Sequence, residues 1–267
     1  MPDKKKLRNR YYLLIFMSFA LIGFPMLKGE AKTVDEEVEE YRNYERRPEK
    51  TVYLTFDDGP SIYTTRLLEV LKKYEVPAIF FVMGESMDIV PNSEKLINKI
   101  LEEGHHIGLH SMSHNRDRLY HQWESPNIFV SEMLELQKLI FDITEGYETN
   151  LCRAPFGAGG HFTKKHWEAV DAAGLYCIDW HVDSLDWAKG SVGEIYNQVM
   201  KEFSKVEDKD QLVLLFHEKK LTLEVLPSII EYFHEKGYTF VPYIEGEVID
   251  VLNETSNEVL INSGRFK

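Results

Sequence analysis

The sequence predicts an α/β fold with a mainly parallel sheet, and three observations carry that prediction. Seven short apolar runs alternate with amphipathic stretches of helical period. Gly104, Gly174 and Gly237 each follow a helical stretch, where a left-handed cap needs a residue without a Cβ. Five of the seven runs end in residues able to carry chemistry, which is the edge where α/β barrels hold their sites. A chain of 267 residues, 43% apolar, is expected to form one sizeable domain with appendages, and a closed or nearly closed barrel suits that length.

The apolar runs, in order, are 52–56, 78–82, 106–109, 151–153, 176–182, 212–216 and 239–241. Their length and β-branched or aromatic content read as buried strands. The first helix is expected over 65–74, with Leu67, Leu68 and Leu71 on one face. The next spans 93–103, with Leu96, Ile97, Ile100 and Leu101 as its apolar stripe and Ser93 as N-cap. Others are expected over 127–144, 163–173, 192–203 and 224–236. Residues 244–267 are polar and read as a C-terminal tail, with room for a short element over 248–252.

The N-terminus lies outside this pattern. Five cations between Lys4 and Arg10 precede an apolar run from Tyr11 to Leu27, which reads as the n- and h-regions of an export signal. Gly29-Glu30-Ala31 offers a small-x-small cleavage site, and both a cleaved signal peptide and an uncleaved membrane anchor fit 1–31. Either places the rest of the chain outside the cytoplasmic membrane, secreted or anchored at its outer face. Residues 32–50 are mostly charged and read as a solvated stalk. The formal net charge of −13 combines a basic N-terminus with a strongly acidic remainder, which argues against nucleic acid as a partner.

The strand ends carry the chemistry. Asp57 and Asp58 close the first run, His110 the third, Arg153 the fourth, Asp183 and Asp186 the fifth and His217 the sixth. His110 and His114 stand four residues apart and can converge on one point, where a carboxylate completes a facial set with open positions. Neighbouring carboxylates on an extended strand end point in different directions, so one can ligate while the other takes a proton from water. Arg153 is placed to keep that base ionised, and His217 with Asp186 is a candidate general acid. Singly, each feature fits a turn, a surface pair or an ordinary ion pair. Together they would be five coincidences at one edge. If residues 176–183 form one strand, Cys177 lies roughly 20 Å below the mouth where Cys152 sits, so two free, buried thiols are expected.

These residues resemble the polysaccharide deacetylase (NodB homology) family, carbohydrate esterase family 4. The five motifs of that family occur in order: Thr55-Phe56-Asp57-Asp58-Gly59, His110-Ser111-Met112-Ser113-His114, Arg153-Ala154-Pro155-Phe156-Gly157, Asp183-Ser184-Leu185-Asp186-Trp187 and Leu214-Leu215-Phe216-His217. The resemblance covers about 51–243, the expected catalytic domain. It implies a distorted seven-stranded (β/α) barrel that removes N-acetyl groups from amino sugars of a cell-wall or chitin-like polysaccharide. By the same resemblance Asp57 is the general base, Asp58, His110 and His114 hold a divalent metal, and Arg153 orients the base. His217 is the acid, paired with Asp186. The Phe156 N–H helps hold the oxyanion, and Trp187 and Leu215 line the acetyl pocket. Zinc is the implied metal, with cobalt, nickel or manganese as substitutes. The partner implied is an N-acetylated glycan, and a monomer is expected.

Two positions depart from the family pattern: Ala154 stands where proline is frequent, and Glu218 where aspartate is common. Neither removes a reacting group. An O-acetyl esterase acting on xylan is a competing activity, and a catalytically silent glycan-binding protein is a competing class. The intact base, acid and metal set argue against the latter.

Overall fold

The computed structural model describes residues 48–208, 210–249 and 251. The expected signal or anchor (1–31), nearly all of the stalk and most of the tail lie outside these residues. Among the described residues no helix is long and apolar enough to cross a membrane.

The strands are β1 (Thr51–Gly59), β2 (Ala78–Val82), β3 (His106–Leu109), β4 (Leu151–Cys152), β5 (Tyr176–Cys177), β6 (Val182–Asp183), β7 (Gln211–His217) and β8 (Thr239–Phe240). The helices are α1 (Thr64–Tyr74), α2 (Gly84–Ile89), α3 (Ser93–Glu102), α4 (Arg116–Tyr120), α5 (Ser125–Thr144), α6 (Lys164–Ala172), α7 (Val192–Lys205) and α8 (Lys220–Glu235). The ladder runs β5-β4-β3-β2-β1-β7-β6, all parallel, and β8 pairs with the start of β1.

The run expected as one strand over 176–182 is two strands. β5 pairs with β4 and β6 pairs with β7, so the two stand at opposite ends of the ladder. Residues 178–181 cross between them, and the barrel is closed by covalent chain rather than by a continuous ladder. This also corrects the placement of the cysteines. Both are free and buried, but Cys177 is the register partner of Cys152, one strand spacing away rather than far below it.

Register fixes what faces the barrel interior. Alternate residues of β1, namely Tyr53, Thr55 and Asp57, share the inner face with Ile79 and Phe81 of β2 and with Val213, Leu215 and His217 of β7. Gly108 pairs with Phe81, and a Cβ there would come within 2.5 Å of the Phe81 ring, so glycine leaves room for that side chain. The opposite residues of these strands, including Leu54, Phe56, Phe80 and Phe216, are fully buried on the outer face. Ser93 opens α3 but does not cap it. Asn92 is the N-cap, and the Ser93 hydroxyl donates to the Met87 carbonyl at 2.6 Å.

The start of the expected tail is part of the packed unit. Ile249 is buried, and Val251 packs, against a cluster of Val241, Tyr243, Tyr53, Ile79, Leu151 and Val213 at the base of the barrel. The Tyr176 hydroxyl donates to the Ile249 carbonyl at 2.9 Å and accepts its N–H at 2.8 Å. A barrel open at the bottom would leave these apolar residues wet, and the polar composition of 244–251 hides the few side chains that cover them.

Two predictions follow from the base. Ile249→Ala should lower unfolding stability by about 2–4 kcal/mol through lost burial and a residual cavity. An unchanged urea midpoint would place residues 244–251 outside the folded unit. The second concerns His106, whose ring lies against Tyr147 and Tyr243 with centroids 5.7 and 4.7 Å away. Burial holds its pKa down at about 3, and Glu245, 3.5 Å from the ring, does not offset this. The unfolded chain takes up a proton near pH 6.5 while the folded protein does not. This contribution is therefore full above about pH 6.5 and is lost progressively as pH falls toward 3. Between pH 7.5 and 5 the wild type should lose about 2 kcal/mol more stability than His106→Gln, as measured by urea unfolding at the two pH values. Equal losses would show that His106 does not titrate as a buried group.

Candidate active site

The C-terminal edge of the sheet gathers the residues singled out from the sequence. Asp57 and His217 are register partners at the ends of β1 and β7. His110 follows β3, Arg153 follows β4, and Asp186 lies three residues beyond β6.

Asp57 is buried, and its Oδ1 accepts from an Arg153 Nη at 2.8 Å. Its Oδ2 lies 3.7 Å from His110 Nε2. Asp58 turns the other way. It adopts a left-handed conformation (φ 66°) and directs Oδ1 to within 3.5 Å of His110 Nε2 and 3.4 Å of His114 Nε2. Its Oδ2 is 3.9 Å from His217 Nε2. His110 Nδ1 donates to the Arg153 carbonyl at 2.8 Å, which in the neutral ring leaves the lone pair on Nε2, facing Asp58.

This set fits a divalent cation. The ligand atoms of Asp58, His110 and His114 lie within 4.8 Å of one another, and Asp58 Oδ1 is buried without a hydrogen-bond partner. A buried, unsatisfied carboxylate oxygen is costly unless a cation satisfies it. One carboxylate and two imidazoles form a common donor set for zinc and similar metals. Titration reflects the same crowding. Burial pushes the Asp58 carboxyl up, but His110, His217 and His114 together hold it well below its usual range. Burial pushes His110 down, yet the carboxylates of Asp57 and Asp58 and the Arg153 carbonyl raise it overall. His114 is lowered by burial and by the charge of His110.

On the opposite side, His217 Nδ1 stands 2.7 Å from Asp186 Oδ1 and its N–H donates to Asp186 Oδ2 at 2.8 Å. Burial pulls the imidazole down, but the hydrogen bond and charge of Asp186, aided by Asp57 and Asp58, leave its pKa raised. Its Nε2 faces the cluster.

Phe156 adopts a left-handed conformation (φ 64°), its ring packs 4.5 Å from His114, and its N–H donates to no protein acceptor among the described residues. Trp187 is 61% exposed, whereas Leu215 is buried on the inner face in register with Thr55 and Asp183. Asp183 accepts the Leu185 N–H at 2.8 Å, shaping the turn that delivers Asp186.

Four residues that support the site were not among those singled out. Asp179 accepts the N–H groups of Ala158 and Gly159 at 2.9 and 3.1 Å and so holds the loop after Phe156. A charged residue inside an otherwise apolar run was its signal. Glu132 is buried on α5 and takes the Ser113 N–H at 2.9 Å and Arg118 Nε at 2.6 Å, which fixes the loop between the two histidines. It stands on the apolar stripe formed by Phe129, Met133, Leu136 and Ile140, where a carboxylate is out of place. The Thr222 hydroxyl donates to Asp186, and no local pattern marked it. Glu218, noted only as a departure, accepts from the Ser61 N–H at 3.0 Å and from the Thr64 hydroxyl. Its burial raises its pKa to about 7, and a Cβ at Gly59 would come within 2.0 Å of its Oε1. The longer glutamate thus needs a glycine above it. Ala154 is fully buried, and nothing in the structure explains its replacement of proline.

Comparison with known proteins agrees with this geometry. The family model described as polysaccharide deacetylase matches residues 44–178. The Bacillus subtilis protein YheN is 38% identical over 195 residues, covering 72% of this chain and 66% of that protein. A Bacillus cereus peptidoglycan-N-acetylglucosamine deacetylase is 36% identical over 199 residues, covering 73% of this chain and 70% of its own length. The crystal structure of the polysaccharide deacetylase Bc1974 from Bacillus cereus superposes with a TM-score of 0.68 at 33% identity, covering 78% of this chain and 99% of that one. A matched family model, relatives above 30% identity and a shared barrel thus converge: the chain belongs to the polysaccharide deacetylase family.

Proposed function

We propose that this protein is a metal-dependent N-deacetylase that removes acetyl groups from amino sugars of peptidoglycan or a related cell-wall glycan, releasing acetate. One observation carries the reading: the Arg153-bound carboxylate of Asp57 and the Asp186-bound imidazole of His217 flank the cluster of Asp58, His110 and His114. The resemblance to a peptidoglycan-N-acetylglucosamine deacetylase supports the polymer. The expected export signal over 1–31 supports action outside the cytoplasmic membrane, with 51–243 as the catalytic domain.

Asp58, His110 and His114 would hold the metal, with zinc the best match to a carboxylate and two imidazoles. When bound there, the cation supplies Lewis acidity toward the acetyl carbonyl and the attacking water. Asp57 has one oxygen tied to Arg153 and the other free to take a proton from that water, whose oxygen then attacks the carbonyl carbon. The Phe156 N–H donates to the oxyanion that forms. His217, its Nδ1 bound to Asp186, gives the Nε2 proton to the sugar nitrogen as the carbon–nitrogen bond breaks. Acetate and a free amine leave. Trp187, exposed at the mouth, meets the sugar.

Two experiments test this. His110→Ala should lose tightly bound zinc and lower acetate release at least ~10³-fold, whereas Asp57→Asn should retain zinc and lose roughly 10²–10⁴-fold in kcat. Zinc content by emission spectrometry, run beside acetate release, separates the two roles, and an Asp57→Asn enzyme at full rate would remove the base assignment. Protein stripped by chelation should release no acetate from peptidoglycan or chitin oligomers until zinc is restored. Acetate from acetylated xylan alone would make the protein an O-acetyl esterase. Zinc binding without acetate from any of the three would make it a silent glycan binder.

A further inference from the structure

The wall of the site continues past Phe156. Arg116 lies over the Phe156 ring at 5.2 Å, and its guanidinium is 2.9 Å from His161 Nε2. The His161 ring is 4.9 Å from that of Tyr120, whose hydroxyl donates to the Pro155 carbonyl at 2.8 Å. From Tyr120 the chain reaches Trp123 in three residues and then enters α5. Because the sheet is parallel, each helix starts at the edge where the preceding strand ends, so the first turns of α5 and α6 lie on the same face of the barrel as His110 and Arg153. Ser125 Oγ and His166 Nε2, 3.2 Å apart, join those two helix starts.

A concavity of ≈ 230 Å³ lies there, lined by Trp123, Glu124, Pro126, Asn127, Lys165 and Ala169. Trp123 is 89% exposed, the most exposed of the large apolar side chains among the described residues. Lys165 Nζ sits 4.7 Å from its ring centroid, so the ring carries a cation on one side and is otherwise open to solvent. A tryptophan serving only the core would be buried. A flat apolar ring beside a carboxylate, an amide and an ammonium matches the mixed surface of a pyranose, which has an apolar C–H face and a polar rim. A lipid surface would place Glu124 in an unfavourable position, and a protein partner would require a wider apolar area than one ring provides.

We propose that this shelf is an outer subsite for the glycan strand. Trp123 stacks on a sugar several units away from the one being deacetylated, and Asn127, Glu124 and Lys165 meet its hydroxyl or acetamido groups. The inference rests on the deacetylase reading above and deepens it: the substrate is a long polymer that runs from the metal cluster across the first turns of α5 and α6, rather than a short oligomer.

The test compares the full-length protein with Trp123→Ala and Asn127→Ala. Kinetics are measured on polymeric glycan and on an N-acetylglucosamine trimer. Sedimentation with insoluble peptidoglycan is measured separately. The ratio of kcat/KM on polymer to that on trimer should fall about tenfold in Trp123→Ala, through KM, and in the same direction in Asn127→Ala. Sedimented protein should fall in parallel. An unchanged ratio with unchanged sedimentation overturns the subsite, as does an equal loss on trimer and polymer, which would mark a structural role. If the parent protein releases no acetate from any glycan, the deacetylase reading fails, and sedimentation still decides the shelf: weaker pelleting of Trp123→Ala supports it and equal pelleting overturns it.

Discussion

The interaction on which the rest depends is the burial of one guanidinium. Arg153 has no solvent exposure, and a charge in that position is tolerated only if its donors are matched. Its Nη1 donates to the Thr55 hydroxyl at 2.6 Å and to Asp57 at 2.8 Å, its Nε to the Ile178 carbonyl at 3.3 Å, and its Nη2 to the Asp179 carbonyl at 3.0 Å. Its Cζ lies 4.2 Å from the centroid of the Phe81 ring and 5.7 Å from that of Trp180. Ile178 and Asp179 are where the chain leaves β5 to cross the barrel, so two of the carbonyls freed by the missing ladder are satisfied by Arg153. The same side chain therefore closes the barrel and holds one oxygen of the proposed base. Lysine could not replace it, because a single ammonium cannot reach four acceptors spread across a plane.

The groups around the site are held in a consistent way. Asp58, Ser111, His114, Phe156 and Leu185 all adopt left-handed backbone conformations, which cost energy for residues with a Cβ. Each strained loop is tied down by a polar group beneath it. Glu132 holds the loop of the histidines, Asp179 holds the loop after Phe156, Asp183 holds the turn to Asp186, and Glu218 holds the turn after Asp58. Directed hydrogen bonds from rigid elements keep the reacting groups within reach of one another, as a preorganised site requires.

Much of this was legible in the sequence because it rests on local patterns. Alternation of apolar runs with helical stripes marked the strands and helices, and the polar strand ends marked one edge of the sheet. Two stretches depart from the local pattern, each for its own reason. Residues 176–182 read as a single strand because apolar content does not reveal which partner each half pairs with. That reading also misplaced Cys177 relative to Cys152. Asp179 within the run was a warning, since an ionisable group rarely sits in a fully buried strand unless it has a task. The stretch from 244 onward read as a tail because its few apolar residues, Ile249 among them, show no period.

By itself the sequence determined the fold class, the order of the longer helices and of most strands, and the side chains available at the mouth, because side-chain period, turn chemistry and residue type are local properties. Tertiary structure alone decided that the barrel closes through chain at 178–181, that Arg153 fills the gap, that Glu132, Asp179, Thr222 and Glu218 anchor the loops, and that Trp123 is left bare on the face of the site. These depend on which surfaces meet after the sheet curls, and contacts between residues far apart in sequence leave no periodic trace along it.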